Sequence, residues 1–334
     1  MSDMMKAVTA SGAGGPEVLD VVSLPRPTPG PGQILVQVHA AGINRPDVMQ
    51  REGNYPPPPG ASDILGLEMA GVVKELGEGT SRFSVGDRVM ALVPSGGYGE
   101  WCAVHETNAL AVPEALSMVE AGAIPETFFT VWSNVFQRAG LKKGETILLH
   151  GGTSGIGTTT ILLAKALVSR VIVTCGSDEK CDAAKANGAD VAINYKTSDF
   201  VEDARKATNG MGPHVILDMV GGDYMQRNIE AVAIDGRIAQ IAFQKPPKAE
   251  LNMLQLLTKR LTWTGSTLRA RPVEMKAELA AALQEHVLPL LAKGIARPVI
   301  DSTYPLDDVR GAHARMDSGG HVGKIVLTMM DDAA

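Results

Sequence analysis

The sequence predicts an α/β protein with two domains, one rich in β-strands and one built on a doubly wound parallel sheet. Its 334 residues correspond to about two domains of ordinary size. Residues up to about 125 have the pattern of strands and turns, whereas residues from about 127 to 266 alternate between strand and helix patterns. Strands that alternate with helices are typical of a parallel sheet with helices on both faces.

Composition and charge exclude several classes of function. Hydrophobic residues make up 45% of the chain and charged residues 20%, which is typical of a globular protein and not of a disordered one. The formal net charge of −6 offers no basic surface to nucleic acid or anionic lipid. Three cysteines are too few for a disulfide framework, and no targeting or membrane-spanning segment is visible. The expected location is therefore cytoplasmic.

The first part of the chain carries strand signals that are separated by prolines and glycines. From 33 to 41, apolar residues alternate with Gln33, Gln37 and His39, which predicts a strand with one polar face. Residues 67–76 and 89–93 are further strand candidates. Prolines at 56–59 supply no backbone donors, so they predict a rigid loop and not a central strand.

The second part alternates strands and helices in the order that a doubly wound sheet needs. Its first strand is predicted at 146–150, and a short last strand at 261–264 is expected near the sheet edge. The strands between them are predicted at 171–174, 191–194, 214–220 and 237–243. A helix is predicted over 273–293, and a final strand at 323–328 indicates a return to the first domain.

A glycine-rich turn after the strand at 146–150 predicts a dinucleotide site. Gly152 permits the tight turn, Ser154 or Gly155 lets the backbone approach a pyrophosphate, and Gly157 lets the helix pack closely. Free amides at the helix start would face that anion. Because Ser154 departs from the strict G-x-G-x-x-G fingerprint, the prediction depends on the strand–turn–helix context, and a plain glycine-rich turn is the alternative.

The end of the next strand indicates which dinucleotide is bound. An NAD site usually has an acidic residue about 20 residues after the glycine turn, where it holds the ribose 2′-hydroxyl. Gly176 and Ser177 stand there instead, and Lys180 and Tyr195 could help to enclose a 2′-phosphate. The acidic residues at 178–179 argue the other way, because they would repel a phosphate if they pointed inward. The balance favours NADP over NAD.

Motifs spread over essentially the whole chain carry a resemblance to a known family. They lie at 44–51, 57–60, 64–68, 152–157, 193–195, 217–222 and 323–327. In them the sequence resembles the medium-chain dehydrogenase/reductase superfamily, in its zinc-free quinone oxidoreductase (zeta-crystallin-like) branch, and within it the tumour-suppressor-inducible group. The resemblance implies a GroES-like catalytic domain over 1–126 and 268–334. It also implies a Rossmann NADP-binding domain over 127–267, with the cofactor in the cleft between the two.

Two positions indicate a site that works without metal. Zinc alcohol dehydrogenases of the resembled superfamily have Cys where Asn44 stands and His where Leu67 stands. The cysteines of this chain, at 102, 175 and 181, do not have the spacing of a zinc site. Without a Lewis acid, alcohol oxidation has no obvious electrophile, whereas a quinone or conjugated enone accepts a hydride with less assistance. Reduction of such an acceptor is therefore favoured over alcohol dehydrogenation.

The resemblance also implies which residues form the site. Asn44 and Tyr55 would lie around the nicotinamide and the substrate as catalytic residues, and the Tyr55 phenol could hydrogen-bond a quinone oxygen. Considered alone, Asn44 also fits a turn residue, and Tyr55 fits a loop tyrosine packed on the prolines. The other cofactor contacts that the resemblance implies are Thr130, Gly152, Ser154, Gly155, Ile156, Phe243, Gln244, Leu268, Arg269 and Lys324.

The predicted function is NADPH-dependent reduction of quinones, in which no side chain need be an obligate acid or base. A second hypothesis is an NADPH-dependent enone or enoyl reductase with Tyr55 as proton donor. A third, from another class, is a non-catalytic NADPH-binding or RNA-binding protein, although the net charge argues against RNA. The resembled proteins form homodimers by pairing edge strands, so residues 261–264 are the expected contact.

Overall fold

The computed structural model describes residues 4–330 and divides the chain into two units. The first unit runs to Phe129 and resumes at Leu268, and the second unit is Thr130–Thr267. The sequence prediction placed the divisions at 126/127 and 267/268, and its assignment of a catalytic and a cofactor-binding domain stays a prediction.

The strands and the α-helices are numbered separately, each in the order of the chain. The strands are β1 (Met4–Ala10), β2 (Leu19–Pro25), β3 (Gln33–Ile43), β4 (Glu68–Leu76), β5 (Arg88–Leu92), β6 (Trp101–His105), β7 (Ala109–Ala111), β8 (Thr146–His150), β9 (Arg170–Cys175), β10 (Val191–Asn194), β11 (Val215–Asp218), β12 (Arg237–Gln240), β13 (Thr262–Gly265), β14 (Ile300–Pro305) and β15 (Lys324–Thr328). The α-helices are α1 (Arg45–Arg51), α2 (Met118–Gly122), α3 (Pro125–Val131), α4 (Gly155–Ala166), α5 (Asp178–Ala186), α6 (Phe200–Ala207), α7 (Tyr224–Ala231), α8 (Leu254–Thr258), α9 (Val273–His286), α10 (Leu288–Ala292) and α11 (Val309–Asp317). A π-helix, Trp132–Arg138, follows α3.

The first unit is built around the long strand β3. Its main sheet has the order β14-β15-β3-β4-β5-β7, with β6 also paired to β3, while β1 and β2 form a separate hairpin. Strand β15 pairs antiparallel with β3, with Ile325 opposite Ile43. The predicted return of the chain to its first domain is therefore confirmed at the level of this sheet.

The prediction of a polar face on β3 is wrong at His39, the last of its three predicted polar residues. His39 is buried, and the apolar residues from Ile34 to Ala41 are almost completely inaccessible to solvent. The cause is tertiary, because helices α2 and α11 pack against β3 and three other strands flank it. Alternation in the sequence predicts a strand with one solvent-exposed face, but helices that follow β3 in the chain cover both of its faces.

The second unit is a six-stranded parallel sheet with the order β10-β9-β8-β11-β12-β13. The predicted strands 146–150 and 191–194 are confirmed to the residue, and β13 lies at the sheet edge as expected. From β8 the chain winds outward first through β9 and then, on the other side, through β11. The carboxyl end of β8 is thus the point at which the strand order reverses, where open α/β sheets bind ligands.

Two predicted elements are interrupted for local reasons. The strand expected at 214–220 ends at Asp218, whose carboxylate accepts hydrogen bonds from the amides of Val220 (2.6 Å) and Gly221 (3.2 Å). The helix expected over 273–293 divides into α9 and α10 at Val287, just before Pro289. Proline removes one backbone donor and crowds the preceding turn, so a continuous helix is disfavoured there.

Candidate functional site

The glycine-rich turn after β8 presents free backbone donors at the start of α4. Ser154 caps this helix, because its hydroxyl accepts from the Gly157 amide at 3.0 Å and donates to the Gly151 carbonyl at 2.8 Å. The amides of Gly155 and Ile156, the first two residues of α4, have no hydrogen-bond partner within residues 4–330. Unpaired amides at a helix start are suited to an anion such as a pyrophosphate.

Two glycines of this turn have no room for a side chain. A Cβ on Gly157 would lie 2.3 Å from the carbonyl oxygen of Gly151, and one on Gly152 would lie 2.6 Å from the Cβ of Val173. The turn, the helix and strand β9 are therefore in backbone contact. This close packing is the role that a dinucleotide turn gives to such glycines, so the residues present fit the predicted cofactor.

The four residues predicted to hold the adenosine end lie together after β9 and β10. A Cβ on Gly176 would lie 2.7 Å from the Tyr195 hydroxyl oxygen, so the phenol covers this glycine. Ser177 caps α5 by accepting from the Lys180 amide at 3.3 Å. The side chain of Tyr195 is 42% exposed and is therefore available to a ligand.

The nearest acidic residue at this end is already engaged. Asp178 accepts a hydrogen bond from the Asn194 side chain at 2.8 Å. Glu179 is exposed, and a hydrogen bond from Ser177 lowers the pKa of its carboxyl. No acidic side chain stands at 176 or 177, where an NAD site usually has one.

The remaining predicted residues of the second unit follow other elements. Phe243 and Gln244 come after β12 and are exposed, and a Cβ on Gly221 would lie 2.5 Å from the Phe243 ring. Thr130 belongs to α3, and its carbonyl accepts from the Asn134 side chain at 2.9 Å. Their contacts with a cofactor stay predictions.

The first unit contains a buried polar cluster that joins the ends of β3, β4 and β15. The Lys324 ammonium donates to Glu68 Oε1 at 2.7 Å, to the Ile43 carbonyl at 3.1 Å and to Asn44 Oδ1. The Asn44 amide nitrogen donates to the same Glu68 oxygen at 2.8 Å and to the Gly42 carbonyl at 3.3 Å. These three side chains are at most 5% exposed. A buried ion pair is thus supported by an amide that satisfies both partners.

Asn44 has a second structural role, as the cap of α1. Its backbone amide donates to Asp47 Oδ2 at 2.8 Å, and the Tyr98 hydroxyl donates to the same oxygen at 3.0 Å. The other oxygen of Asp47 is buried without a hydrogen-bond partner in the described chain. Burial raises the pKa of Asp47 to about 6, although the two hydrogen bonds and Lys324 oppose the rise.

Tyr55 and Arg269, both predicted site residues, contact each other. The Arg269 guanidinium donates to the carbonyls of Pro94 (2.7 Å) and Tyr55 (3.1 Å) and to the Gln50 side chain (2.5 Å). The central carbon of this guanidinium, Cζ, lies 5.2 Å from the centre of the Tyr55 ring. The half-buried Tyr55 hydroxyl has no hydrogen-bond partner among residues 4–330, and burial raises its pKa. Arg269 therefore holds the loop and leaves the phenol available, and its neighbour Leu268 is half-buried.

Sequence reasoning missed four titratable residues of this cluster: Asp47, Glu68, Tyr98 and Glu126. Burial raises the pKa of Tyr98 well above its usual value and that of Glu126 to about 7. The signal for Glu68 was an acidic residue directly before the apolar run 69–73, and Asp47 stands three residues after Asn44, as a capping partner does. Nothing near Glu126 in the sequence indicates its surroundings.

Comparisons with known proteins point to oxidoreductases. The model described as "Alcohol dehydrogenase GroES-like domain" matches residues 30–138, and the one described as "Zinc-binding dehydrogenase" matches 155–285. The quinone oxidoreductase of Lama guanicoe is 32% identical over 329 residues, which are 98% of each chain.

Solved structures agree with this in fold. A quinone oxidoreductase from Pseudomonas syringae superposes with a TM-score of 0.87 at 31% identity, covering 97% of this chain and 99% of that one. The JamJ enoyl reductase also has a TM-score of 0.87, over 98% of this chain and 99% of that one. Its sequence identity is 24%, so this second likeness concerns the fold alone.

The word zinc in one of these descriptions does not fit the residues present. Lys324 directs its ammonium to Asn44 and Glu68, and Leu67 is an apolar, buried side chain. A cation and an apolar group do not ligate a divalent metal. Within residues 4–330, no group of three or more His, Cys, Asp or Glu could hold a metal ion, and no described helix is long and apolar enough to cross a membrane.

Proposed function

The chain belongs to the medium-chain dehydrogenase/reductase superfamily, among its quinone oxidoreductase-like members, and we propose that it reduces quinones with NADPH without a metal. One observation carries the proposal: the Lys324 ammonium is bound to Asn44, at the position where zinc members of the superfamily have a cysteine. A quinone needs no Lewis acid to accept a hydride, because the charge that develops on its oxygen is delocalised. The motifs at 44–51 and 57–68 support placement in the tumour-suppressor-inducible group.

We propose that the turn at 151–157 binds the pyrophosphate of the cofactor. The two unpartnered amides of Gly155 and Ile156 and the glycines without room for a Cβ support this assignment. When bound, a reduced nicotinamide supplies the hydride. Ser154 keeps its hydroxyl on the turn itself, so its contribution to binding is to hold the helix start in shape.

NADPH is proposed over NADH from the residues after β9 and β10. Lys180 would provide positive charge and the cap of α5 would provide backbone donors for a 2′-phosphate, while Tyr195 would cover it. The binding of Asp178 by Asn194 supports this, because that carboxylate is held by a neighbour.

For the acceptor, Tyr55 is proposed as the hydrogen-bond donor. Its hydroxyl is half-buried and unpartnered among the described residues, and Arg269 fixes its loop through the Tyr55 carbonyl. Asn44 is proposed to line the site. Because the side-chain amide of Asn44 donates to Glu68 and Gly42, Asn44 would hold these neighbouring residues in place and would not donate to the acceptor.

Steady-state oxidation of NADPH and NADH with ortho-quinones, para-quinones and enones tests the proposal. We expect quinone-dependent turnover, a lower KM for NADPH than for NADH, and no loss of activity on dialysis against a chelator. Tyr55→Phe should lower kcat/KM for quinones about tenfold, the value of one hydrogen bond to a developing charge. Tight NADPH binding without turnover of any acceptor would instead indicate a cofactor-binding protein.

The second candidate function is reduction of an enone, favoured by the half-buried Glu126 carboxyl near Tyr55. Burial raises the pKa of Glu126 to about 7, and its carboxylate contributes to the raised pKa of Tyr55. An acid of this kind suits protonation at carbon. Formation of a saturated ketone from an enone, with no quinone turnover, would select this function.

We also propose a homodimer that forms through β13. This strand lies at the edge of the parallel sheet, and the nearby chain exposes large apolar side chains at Ile234, Leu254 and Leu257. Light scattering should give about twice the mass of 35.2 kDa. Monomers at micromolar concentration would contradict the proposal.

A further inference from the structure

We propose that Glu126 supplies the proton that the acceptor takes up when it is reduced. This inference rests on the proposed function and adds to it the source of the proton. Glu126 lies in the first turn of α3, and its backbone amide donates to Glu68 Oε2 at 2.8 Å. The main chain at Glu126 is therefore tied to the buried polar cluster, while its carboxyl forms no hydrogen bond or ion pair within residues 4–330.

Comparison of the three carboxyls in this cluster singles out Glu126. Both oxygens of Glu68 are occupied, one by Lys324 and Asn44 and the other by the Glu126 amide. Asp47 is completely buried and caps α1. Glu126 is half-buried and has no partner in the described chain, so its carboxyl can lose a proton to an acceptor and regain one from solvent.

The charges around Glu126 place its titration near neutrality. Burial raises the pKa of this carboxyl to about 7, the Lys324 ammonium opposes the rise, and the Glu68 and Asp47 carboxylates add to it. Tyr55 is close enough for the Glu126 charge to raise the pKa of the phenol, while Arg269 lowers it. A general acid is most effective when its pKa is near the working pH, so Glu126 is the carboxyl of this cluster that best suits the role.

The proton and electron count requires one proton in addition to the hydride, and an acid in the site can supply it faster than solvent. A quinone that receives a hydride gains two electrons and one hydrogen and becomes a hydroquinone monoanion, and one more proton completes the hydroquinone. An enone that receives a hydride at its β-carbon becomes an enolate, which needs one proton to become the saturated ketone. In each case the O–H bond of Glu126 breaks, a bond from hydrogen to the acceptor forms, and water re-protonates the carboxylate. The enolate is the stronger base, so its reduction depends more on the acid.

Glu126→Gln is the informative variant, with Glu114→Gln as its control. Glu114 is an exposed carboxyl of the same unit, and its substitution should leave activity unchanged. With an enone acceptor, kcat of the wild type should fall as pH rises through about 7, because the Glu126 carboxyl then loses the proton that it would donate. Glu126→Gln should lower kcat at pH 6 by about 100-fold and give a flat pH profile, whereas the Kd for NADPH should not change. Glu126→Asp should restore part of the rate and the pH dependence.

A readout on the free protein separates this inference from the proposed function. In protein labelled with ¹³C at the glutamate carboxyls, one resonance should titrate near pH 7 in the wild type and in Glu114→Gln and be missing from Glu126→Gln. The role of Glu126 is overturned if no glutamate titrates between pH 6 and 8, or if an active reductase keeps its rate and pH profile in Glu126→Gln. Failure of the wild type to reduce any quinone or enone overturns the proposed function, and the proton role falls with it.

Discussion

The turn at 151–157 and the buried polar cluster around Asn44 are built in opposite ways. The turn uses backbone amides and glycines from one continuous segment, and two of its donors remain unpartnered in the described structure. The cluster uses side chains that are brought together from positions 44, 68 and 324, and most of their polar atoms are occupied by each other. The first arrangement is open to a ligand, whereas the second mainly fixes its own geometry.

Removal of the Lys324 charge should have the largest effect and tests whether the cluster is self-supporting. Lys324→Met leaves the fully buried Glu68 carboxylate without its cation, and we expect a loss of about 3–5 kcal/mol in the free energy of unfolding. Urea denaturation measures this loss. The double variant Lys324→Met, Glu68→Gln should recover part of it, and a loss below about 1 kcal/mol in the single variant would contradict a tightly coupled pair.

Asp47 should give the cluster a pH dependence that the turn lacks. Its pKa in the fold, about 6, lies above the ordinary value of 3.8, so the neutral carboxyl is favoured by folding. The corresponding stabilisation is complete below pH 4 and is lost as pH rises through about 6, with a size of about 2–3 kcal/mol.

Asp47→Asn should remove this loss of stability with rising pH. The free energy of unfolding of the variant, relative to that of the wild type, should therefore increase between pH 4 and pH 7.5. Urea denaturation at several pH values measures the shift, and Asp63→Asn, at an exposed position of the same unit, is the control. A difference that is constant with pH would show that Asp47 stays ionised.

Gly157→Ala tests the turn at 151–157 through its effect on stability and on cofactor binding. The added Cβ would lie 2.3 Å from a backbone oxygen, so either the helix start or the turn must shift. We expect a cost of about 1–3 kcal/mol in stability and a Kd for NADPH that rises at least tenfold. Gly12→Ala, where a Cβ would meet nothing within 4 Å, should change neither quantity. Unchanged binding in Gly157→Ala would mean that the cofactor does not depend on this turn.

The smallest expected effect concerns the choice of cofactor. Lys180→Met should raise the Kd for NADPH about fivefold to tenfold and leave that for NADH unchanged, because only NADPH carries the 2′-phosphate that the Lys180 charge would attract. Lys185→Met, on the same helix α5, is the control, since Lys185 pairs with Asp182. Equal changes for the two cofactors would contradict the assignment of NADP.

The same contrast explains what could be predicted from the sequence. The turn was found because its residues are adjacent, and strands 146–150 and 191–194 were placed to the residue because their apolar runs are short and bounded. His150, the last residue of this first strand, is completely buried and forms hydrogen bonds with Thr174 and Asn228. Local patterns were sufficient in these cases.

Other features depend on partners that are remote in sequence. Asn44 was predicted to lie around the nicotinamide and the substrate, and the sequence did not indicate that its amide donates to Glu68 and Gly42 or that its oxygen accepts from Lys324, 280 residues away. Arg269 was predicted as a cofactor contact, which stays a prediction, and the sequence did not indicate that its guanidinium donates to three groups of the first unit, among them the Tyr55 carbonyl. No spacing rule in a single sequence indicates such contacts.

The position of β15 has a consequence for the order in which the chain folds during synthesis. Lys324, in the strand that covers one edge of β3, is made 256 residues after Glu68 and therefore leaves the ribosome much later. Until residues 324–328 have been made, Glu68 therefore lacks the cation that would compensate it in the fold, and one edge of β3 stays open. The second unit is one uninterrupted segment, 130–267, and can fold before synthesis of the first unit is finished. Premature termination before residue 324 would consequently leave a folded sheet attached to an aggregation-prone remnant.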